Sequence, residues 1–395
     1  MSTQPYLVLR STRPQTRHSI ESIFGQPYGT DSATVSNLKI EKIDLSSKES
    51  EDLRATGDVI SIAPIIPLHH ISPAADATEP EQFPVGSSWG LQAVGADQHR
   101  LTGAGVVVAV LDTGIDAEHP AFSHLQGRIE QRNFTGESAA DLTGHGTHCA
   151  GTIFGGTVNG IRIGIAPGIR KALIGKVVGG EASDTAAVCE ALQWAVDGGA
   201  SIISLSLGFD VRRYADQLAT ELPPDVAFSR ALLAYHDNLE LFSSFAQKVM
   251  ALRGRQVLLA AAAGNDSRRH EKDEYVIHRM LPAAASGFLA VGALQKSGNR
   301  CTVAPFSNTG VRMVAPGVRI LSALPGNRFG RMSGTSMAVP HVCGVAALWQ
   351  ELLQQQSRTV SGQLLQDRLL GSCSYDTIEE AREADVGAGL VQAPR

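Results

Sequence analysis

The chain has 395 residues, 43% of them hydrophobic and 18% charged, with a formal net charge of −5 and a pI near 6.2. That balance describes a globular protein with a sizeable core, and it offers no electrostatic footprint for nucleic acid or an anionic membrane. No run approaches the roughly 18 apolar residues needed to cross a bilayer.

In chain order, residues 1–71 read as a small α+β unit. An apolar start, Tyr6 to Leu9, precedes an alternating strand from Leu38 to Ile43. Ser46 and Glu49 form a capping-box pattern that opens a short helix ending by Gly57, and Val59 to Pro64 reads as another strand. Residues 72–86 are acidic and proline-rich, which suits an exposed linker. From residue 87 strands alternate with helices. Val106 to Leu111 is a continuous apolar run, as expected of a strand buried on both faces of a parallel sheet. Further buried strands are expected at Lys171–Val178, Ser201–Ser206, Val257–Ala262 and Leu289–Ala293, and helices at His145–Ile153, Thr185–Gly198 and Ser336–Leu353. The pattern predicts an α/β domain over residues 87–395: a doubly wound, mostly parallel sheet flanked by helices, with the site at the carboxyl ends of the strands.

Three segments carry chemistry. Asp112-Thr113-Gly114 puts a carboxylate at the end of a buried strand. Gly144-His145-Gly146-Thr147-His148 puts an imidazole at a helix start, and Gly334-Thr335-Ser336-Met337-Ala338 puts a hydroxyl in a turn that opens another helix. A serine hydroxyl is a poor nucleophile until an imidazole accepts its proton, and the imidazole needs a carboxylate to fix its tautomer. Each segment alone has an ordinary structural explanation, such as a turn, a helix start or an N-cap. Their joint occurrence in this order is what carries the assignment.

Together with Ala261-Ala262-Ala263-Gly264-Asn265, these blocks closely resemble the signature of the subtilase family, over roughly residues 87–370. The resemblance implies peptide-bond hydrolysis by Ser336, His145 and Asp112 through an acyl-enzyme, with Asn265 and the Ser336 backbone N–H stabilising the oxyanion. It places Asp116, His119 and His148 among structural residues, while His278 and His341 read as packing or loop positions. Pro340 is expected in the tolerant first turn of its helix. Cys149, one turn after His145, matches the inert buried thiol of proteinase K-like members. Substrate would pair with Val178, Gly179 and Gly180 on one side and Ser206, Leu207 and Gly208 on the other. Ala262 and Ala263 would form a further wall, with Met280 at the pocket base.

The chain also departs from the family pattern. Between Gly208 and Asn265 it is about thirty residues longer than compact members (by approximate alignment), an insertion at about 209–250 in which Asp225–Met250 reads as a helix. That helix could wall the cleft or pack away from it. The positions of the usual tight calcium site hold Ala121 and Val158, so no cofactor is expected beyond calcium at a non-standard site near Asn159 and Gly160. The first 71 residues resemble the inhibitor-type propeptide of the family, with residues 72–86 as its processing region. The expected partners are a protein or peptide substrate and this pro-domain, with neither nucleic acid nor membrane. An accessory domain, a binding scaffold on an inactive protease fold and an effector with one dedicated substrate are the competing readings. The five cysteines, Cys149, Cys189, Cys301, Cys343 and Cys373, form no CxxC pair. Met1 to Arg10 lacks the pattern of a secretory leader, so a cytoplasmic address is expected, or a secreted one if a leader has been removed.

Overall fold

A computed structural model describes residues 3–11, 38–68, 86–179, 183–250, 257–356, 360–379 and 381–395. Gly180 and residues 72–85 of the expected linker lie outside them. No helix among the described residues is long and apolar enough to cross a membrane.

The N-terminal part is an antiparallel sheet of β1 (Gln4–Ser11), β2 (Leu38–Leu45) and β3 (Val59–Pro64), in the order β2-β1-β3. Helix α1 (Ser47–Arg54) lies between the last two in sequence and starts on the expected capping box: Glu49 N–H donates to Ser46 Oγ, and Ser46 N–H to Glu49 Oε2 at 2.8 Å. The strand period of two splits the apolar residues between two faces. Tyr6, Val8 and Ile62 form a small core with Ile43, Leu45, Leu53 and Val59. Leu7, Leu9 and Ala63, with Ile66 beyond the strand, instead join the core of the large domain.

The large domain is built on an eight-stranded sheet among the described residues. Its strands are β4 (Val107–Asp112), β5 (Ile129–Asn133), β6 (Lys171–Lys176), β7 (Ile202–Leu205), β8 (Leu258–Ala262), β9 (Phe288–Ser297), β10 (Arg300–Val303) and β11 (Met313–Pro316). The order is β10-β9-β8-β7-β4-β6-β5 with β11 also on β9, and only β10 runs antiparallel to its neighbour. The chain first builds outward on one side of β4 and then returns to lay β7 on the other. That reversal makes the carboxyl end of β4 a topological switch point, where the crossovers diverge and leave a crevice.

Every residue of β4 is at most 3% exposed, because both faces are covered. Val108 and Val110 share a core with Cys149, Ala150 and Ile153 of α2 (His145–Phe154) and Met337 and Val342 of α6 (Thr335–Gln355). Val107, Ala109 and Leu111 face the other core, with Val188 and Leu192 of α3 (Thr185–Asp197) and Phe242 and Phe245 of α5 (Pro224–Met250). Each buried Val, Leu, Ile, Met or Phe side chain among them contributes about 1.5–3 kcal/mol. This two-sided burial is the reason the strand reads as an unbroken apolar run.

The insertion forms two helices. The long one, α5, starts one residue before the expected Asp225, and α4 (Val211–Leu218) precedes it. Helix α4 is not among the helices expected from the sequence; it buries none of its residues, and at its start Asp210 accepts the Arg212 and Arg213 N–H groups at 2.9 and 3.1 Å. α5 packs against both α4 and β3, so it holds the N-terminal sheet.

Candidate active site

Asp112 ends β4 at the switch point, and its Oδ1 accepts from its neighbour's backbone, Thr113 N–H, at 2.7 Å. The same oxygen accepts the Nδ1–H of His145, also at 2.7 Å, and both side chains are 1% exposed. Burial works against a charged ring, but the Asp112 carboxylate outweighs it and holds the His145 pKa well above the ordinary imidazole value. Gly144, at φ +81°, turns the chain into α2. A Cβ on Gly146 would stand 2.2 Å from the Gly114 carbonyl, so glycine is what lets the helix start press against the Asp112 loop.

Asp141, which sequence analysis missed, joins these two loops. It is 6% exposed and accepts from Gly144 N–H and Thr113 Oγ1–H at 2.8 Å each, and from Thr147 N–H and Oγ1–H at 2.9 and 2.6 Å. Thr113 Oγ1 in turn accepts Gly146 N–H at 2.9 Å. A carboxylate at a helix N-terminus satisfies its open N–H groups and complements its dipole. The available signal was an acidic residue four positions before a helix-opening histidine.

Ser336 is the second residue of α6, and its Oγ contacts the Ser206 carbonyl at 3.5 Å. Pro340 is the sixth residue of that helix, so the expected first-turn placement is corrected. In a helix interior, proline withholds the N–H that would bond to the carbonyl four residues back, here that of Ser336. That carbonyl accepts instead from Ser206 Oγ at 3.0 Å and Cys149 Sγ at 3.5 Å. Two neighbouring elements thereby hold the backbone under the candidate nucleophile. Cys149 Sγ lies 4.0 Å from His145 Nδ1, and burial raises its pKa, which keeps it a thiol.

Asn265 follows β8 and reaches the start of α6. Its Oδ1 accepts Thr335 N–H and Oγ1–H, both at 2.9 Å, which identifies Nδ2 as the donor end of the amide. A Cβ on Gly334 would lie 2.9 Å from that Nδ2. Asn308, fully buried and also missed in the sequence, braces the loop: its Oδ1 accepts Asp266 and Ser267 N–H, and its Nδ2 donates to the Ala263 carbonyl at 3.1 Å.

Gly180 lies outside the described residues, and the other expected substrate-binding residues are near this centre. Gly179, at φ +150°, donates its N–H to Ser183 Oγ at 2.7 Å. Val178 is 8% exposed, Ser206 and Gly208 are buried, and the Leu207, Ala262 and Ala263 side chains belong to the cores, so these last three could offer substrate only backbone. Met280 N–H donates to Ala263 O at 3.1 Å, and its Cε approaches to 2.8 Å of where a Gly264 Cβ would stand.

Of the other histidines singled out in the sequence, His119, His148 and His341 are fully buried and bonded to backbone carbonyls. His148 donates to Ile320 O at 2.8 Å, with its pKa pushed down to about 3 by burial; His341 donates to Met337 O at 2.8 Å, with its pKa at about 4 for the same reason. His119 donates to Arg328 O at 2.9 Å, Asp116 Oδ2 accepts Gly326 N–H at 2.8 Å, and exposed His278 stacks against Gly310. Calcium needs six to eight oxygen donors. Ala121 is fully buried in the core and Val158 packs against it, so these positions do not fit the ion.

Asp112→Asn should lower turnover by about 10⁴-fold, by analogy with other triads. Protonated His145 cannot accept a proton, so activity rises with pH through its pKa; removing the carboxylate that raises that pKa should move the acid limb of kcat/KM to lower pH. An unmoved limb in a pH–rate profile would remove Asp112 from its assigned partnership. Chelator should change the melting temperature little, since a ligand stabilises only the fold that binds it. A large calcium-dependent rise would reveal a site elsewhere.

The family model described as the subtilase family matches residues 103–383. M-protease of Shouchella clausii (strain KSM-K16) is 35% identical over 266 residues, 66% of this chain and 58% of that protein. The major intracellular serine protease of Bacillus subtilis (strain 168) is 35% identical over 258 residues, 63% of this chain and 69% of that protein. The match thus spans less than two thirds of the length of the first of these relatives. The fold is similar to that of fervidolysin from Fervidobacterium pennivorans, with a TM-score of 0.66 and 22% identity over 99% of this chain and 60% of that one. The chain belongs to the subtilase family of subtilisin-like serine peptidases.

Proposed function

We propose that the protein is a serine endopeptidase made in a latent form. The observation that carries the catalytic half is the buried Asp112–His145 hydrogen bond, beside a helix whose second residue is Ser336 and an asparagine amide directed by Thr335. Ser336 Oγ attacks the scissile carbonyl while His145 Nε2 accepts its proton. Asp112 holds the tautomer and stabilises the imidazolium, and Asn265 Nδ2 and the Ser336 N–H stabilise the oxyanion. His145 then protonates the leaving amine, and water, activated by the same ring, hydrolyses the ester. An extended substrate lies between the 178–180 and 206–208 backbones, in the manner of strand addition.

The latent half rests on burial and on the course of the N-terminal unit. Ser336 is 0% and His145 1% exposed, which accords with a covered site. After β3 the chain runs along the start of α3, where Thr185 N–H donates to Ile66 O at 3.0 Å and Leu68 N–H to Ser183 O at 2.7 Å. Residues 183–185 lie a few positions beyond Val178 and Gly179, so at Leu68 the chain stands beside one expected wall of the cleft, and residues 72–86 are its next segment. Tethering gives that tail a high effective concentration until it is cut. An intracellular address accords with the free state of all five cysteines and with the similarity to a protease named as intracellular.

Ser336→Ala should abolish peptide hydrolysis, a loss on the order of 10⁶ in turnover. Intact mass should find wild-type protein clipped between roughly Ile71 and Ser88 and the variant whole. A tenth of the activity surviving in the variant would remove Ser336 from the nucleophile's role. Asn265→Ala should lower turnover by about 10²–10³ with little change in ground-state binding, because its bond matters chiefly in the transition state. An equal loss of substrate affinity would assign the amide to binding instead.

A further inference from the structure

The inserted helix α5 touches the N-terminal unit through two adjacent polar side chains. Asp237 Oδ2 accepts from Arg54 Nη2 at 2.6 Å, across 183 positions of sequence, with the side chains 9% and 36% exposed. Asn238, fully buried, donates from Nδ2 to the Pro64 carbonyl at the end of β3 at 2.9 Å, and to Ala234 O one turn back at 2.8 Å. Beside these anchors is a cavity of about 490 Å³ lined by Arg54, Ile60, Ser61, Leu239 and Ser243, among others. The helix thus meets the strand through polar anchors as well as through apolar packing.

The apolar part of the contact is generic: Leu7, Leu9, Ala63 and Ile66 join a shared core, and many aliphatic surfaces could replace them. The polar part is not. Burial pushes the Asp237 carboxyl pKa up, and the Arg54 guanidinium opposes that effect. A unit docked without a cation opposite Asp237, or without a carbonyl opposite Asn238, would leave a desolvated polar group unpaired, which is how interfaces reject wrong partners. Both residues lie in the segment by which this chain exceeds compact members of its family.

We propose that α5 is a latch that selects this chain's own N-terminal unit, reading Arg54 through Asp237 and the Pro64 carbonyl through Asn238. The latch sets how long the unit stays docked once the connection to the catalytic domain is cut. This rests on the latent-peptidase reading but concerns docking, which is measurable without catalysis.

The test uses the full chain with Ser336→Ala and a recognition sequence for an added site-specific protease within residues 72–86. After cleavage, the dissociation rate of the N-terminal fragment is measured by size exclusion or surface-bound release. Arg54→Glu or Asp237→Arg alone should speed release by about ten- to a hundredfold, as for a partly exposed interfacial charge pair, and the double reversal should restore it to within about fivefold. Asn238→Leu should speed release without rescue by any charge change. Release at the parent rate in the single reversals, or no recovery in the double, overturns the latch. The same charge variants with Ser336 restored then test the reading beneath it. Faster release with earlier onset of hydrolysis supports both, whereas faster release with unchanged onset keeps the latch and overturns the inhibitory role.

Discussion

The hydrogen bond between Asp112 and His145 is the interaction on which the rest of the site depends. A carboxylate that is 1% exposed is costly to leave unpaired, by several kcal/mol, so the fold must bring a donor to it. Nearly every unusual local feature serves that meeting. Gly144 adopts a positive φ to start α2 in the right direction, and Gly146 lacks the side chain that would keep the helix from the Asp112 loop. Asp141 ties Thr113 to the first turn of α2 with both of its oxygens. The sheet supplies the other half of the geometry, because β4 lies at the reversal of strand order and presents Asp112 at its open end.

On the nucleophile's side, the helix proline has a local consequence. A carbonyl without its helical partner costs free energy if buried, and the Ser336 carbonyl recovers partners from the end of β7 through Ser206, the residue after it, and from α2 through Cys149. Those bonds join the element carrying Ser336 to the element carrying His145 and to the expected substrate strand. The small residues in this region, Ser206, Cys149 and Gly334, leave the space such close approaches need.

The N-terminal sheet shows how little apolar surface a small unit can bury by itself. One face makes its own core around Tyr6, Val8 and Ile62, while the other completes a core that also holds Phe242 and Val188 of the large domain. Small units of this size gain much of their stability from what they dock on. The insertion then adds Asp237 and Asn238 to an otherwise aliphatic contact, so that affinity and selectivity come from different residues.

Much of this was legible in the amino-acid order, for identifiable reasons. The run Val106 to Leu111 marks a strand covered on both faces, because burial on both sides removes the polar alternation. Ser46 and Glu49 mark a helix start, because a capping box is a local hydrogen-bond exchange. The blocks around Asp112, His145, Asn265 and Ser336 stand out because each combines a reactive group with the glycines its turn requires. Contacts between distant segments were not legible in this way. Asp141 looks like any loop acid until Thr113 and Thr147 surround it, and Asn308 like any loop amide until it faces residues some forty positions away. Pro340 is a local signal whose effect depends on where the helix starts, and its orphaned carbonyl is satisfied from two other elements. Arg54 and Asp237 become a pair only because α5 lies across β3. Local chemistry and periodicity are properties of neighbouring residues and are written in their order, whereas the partners of buried polar groups are set by which surfaces the folded chain brings together.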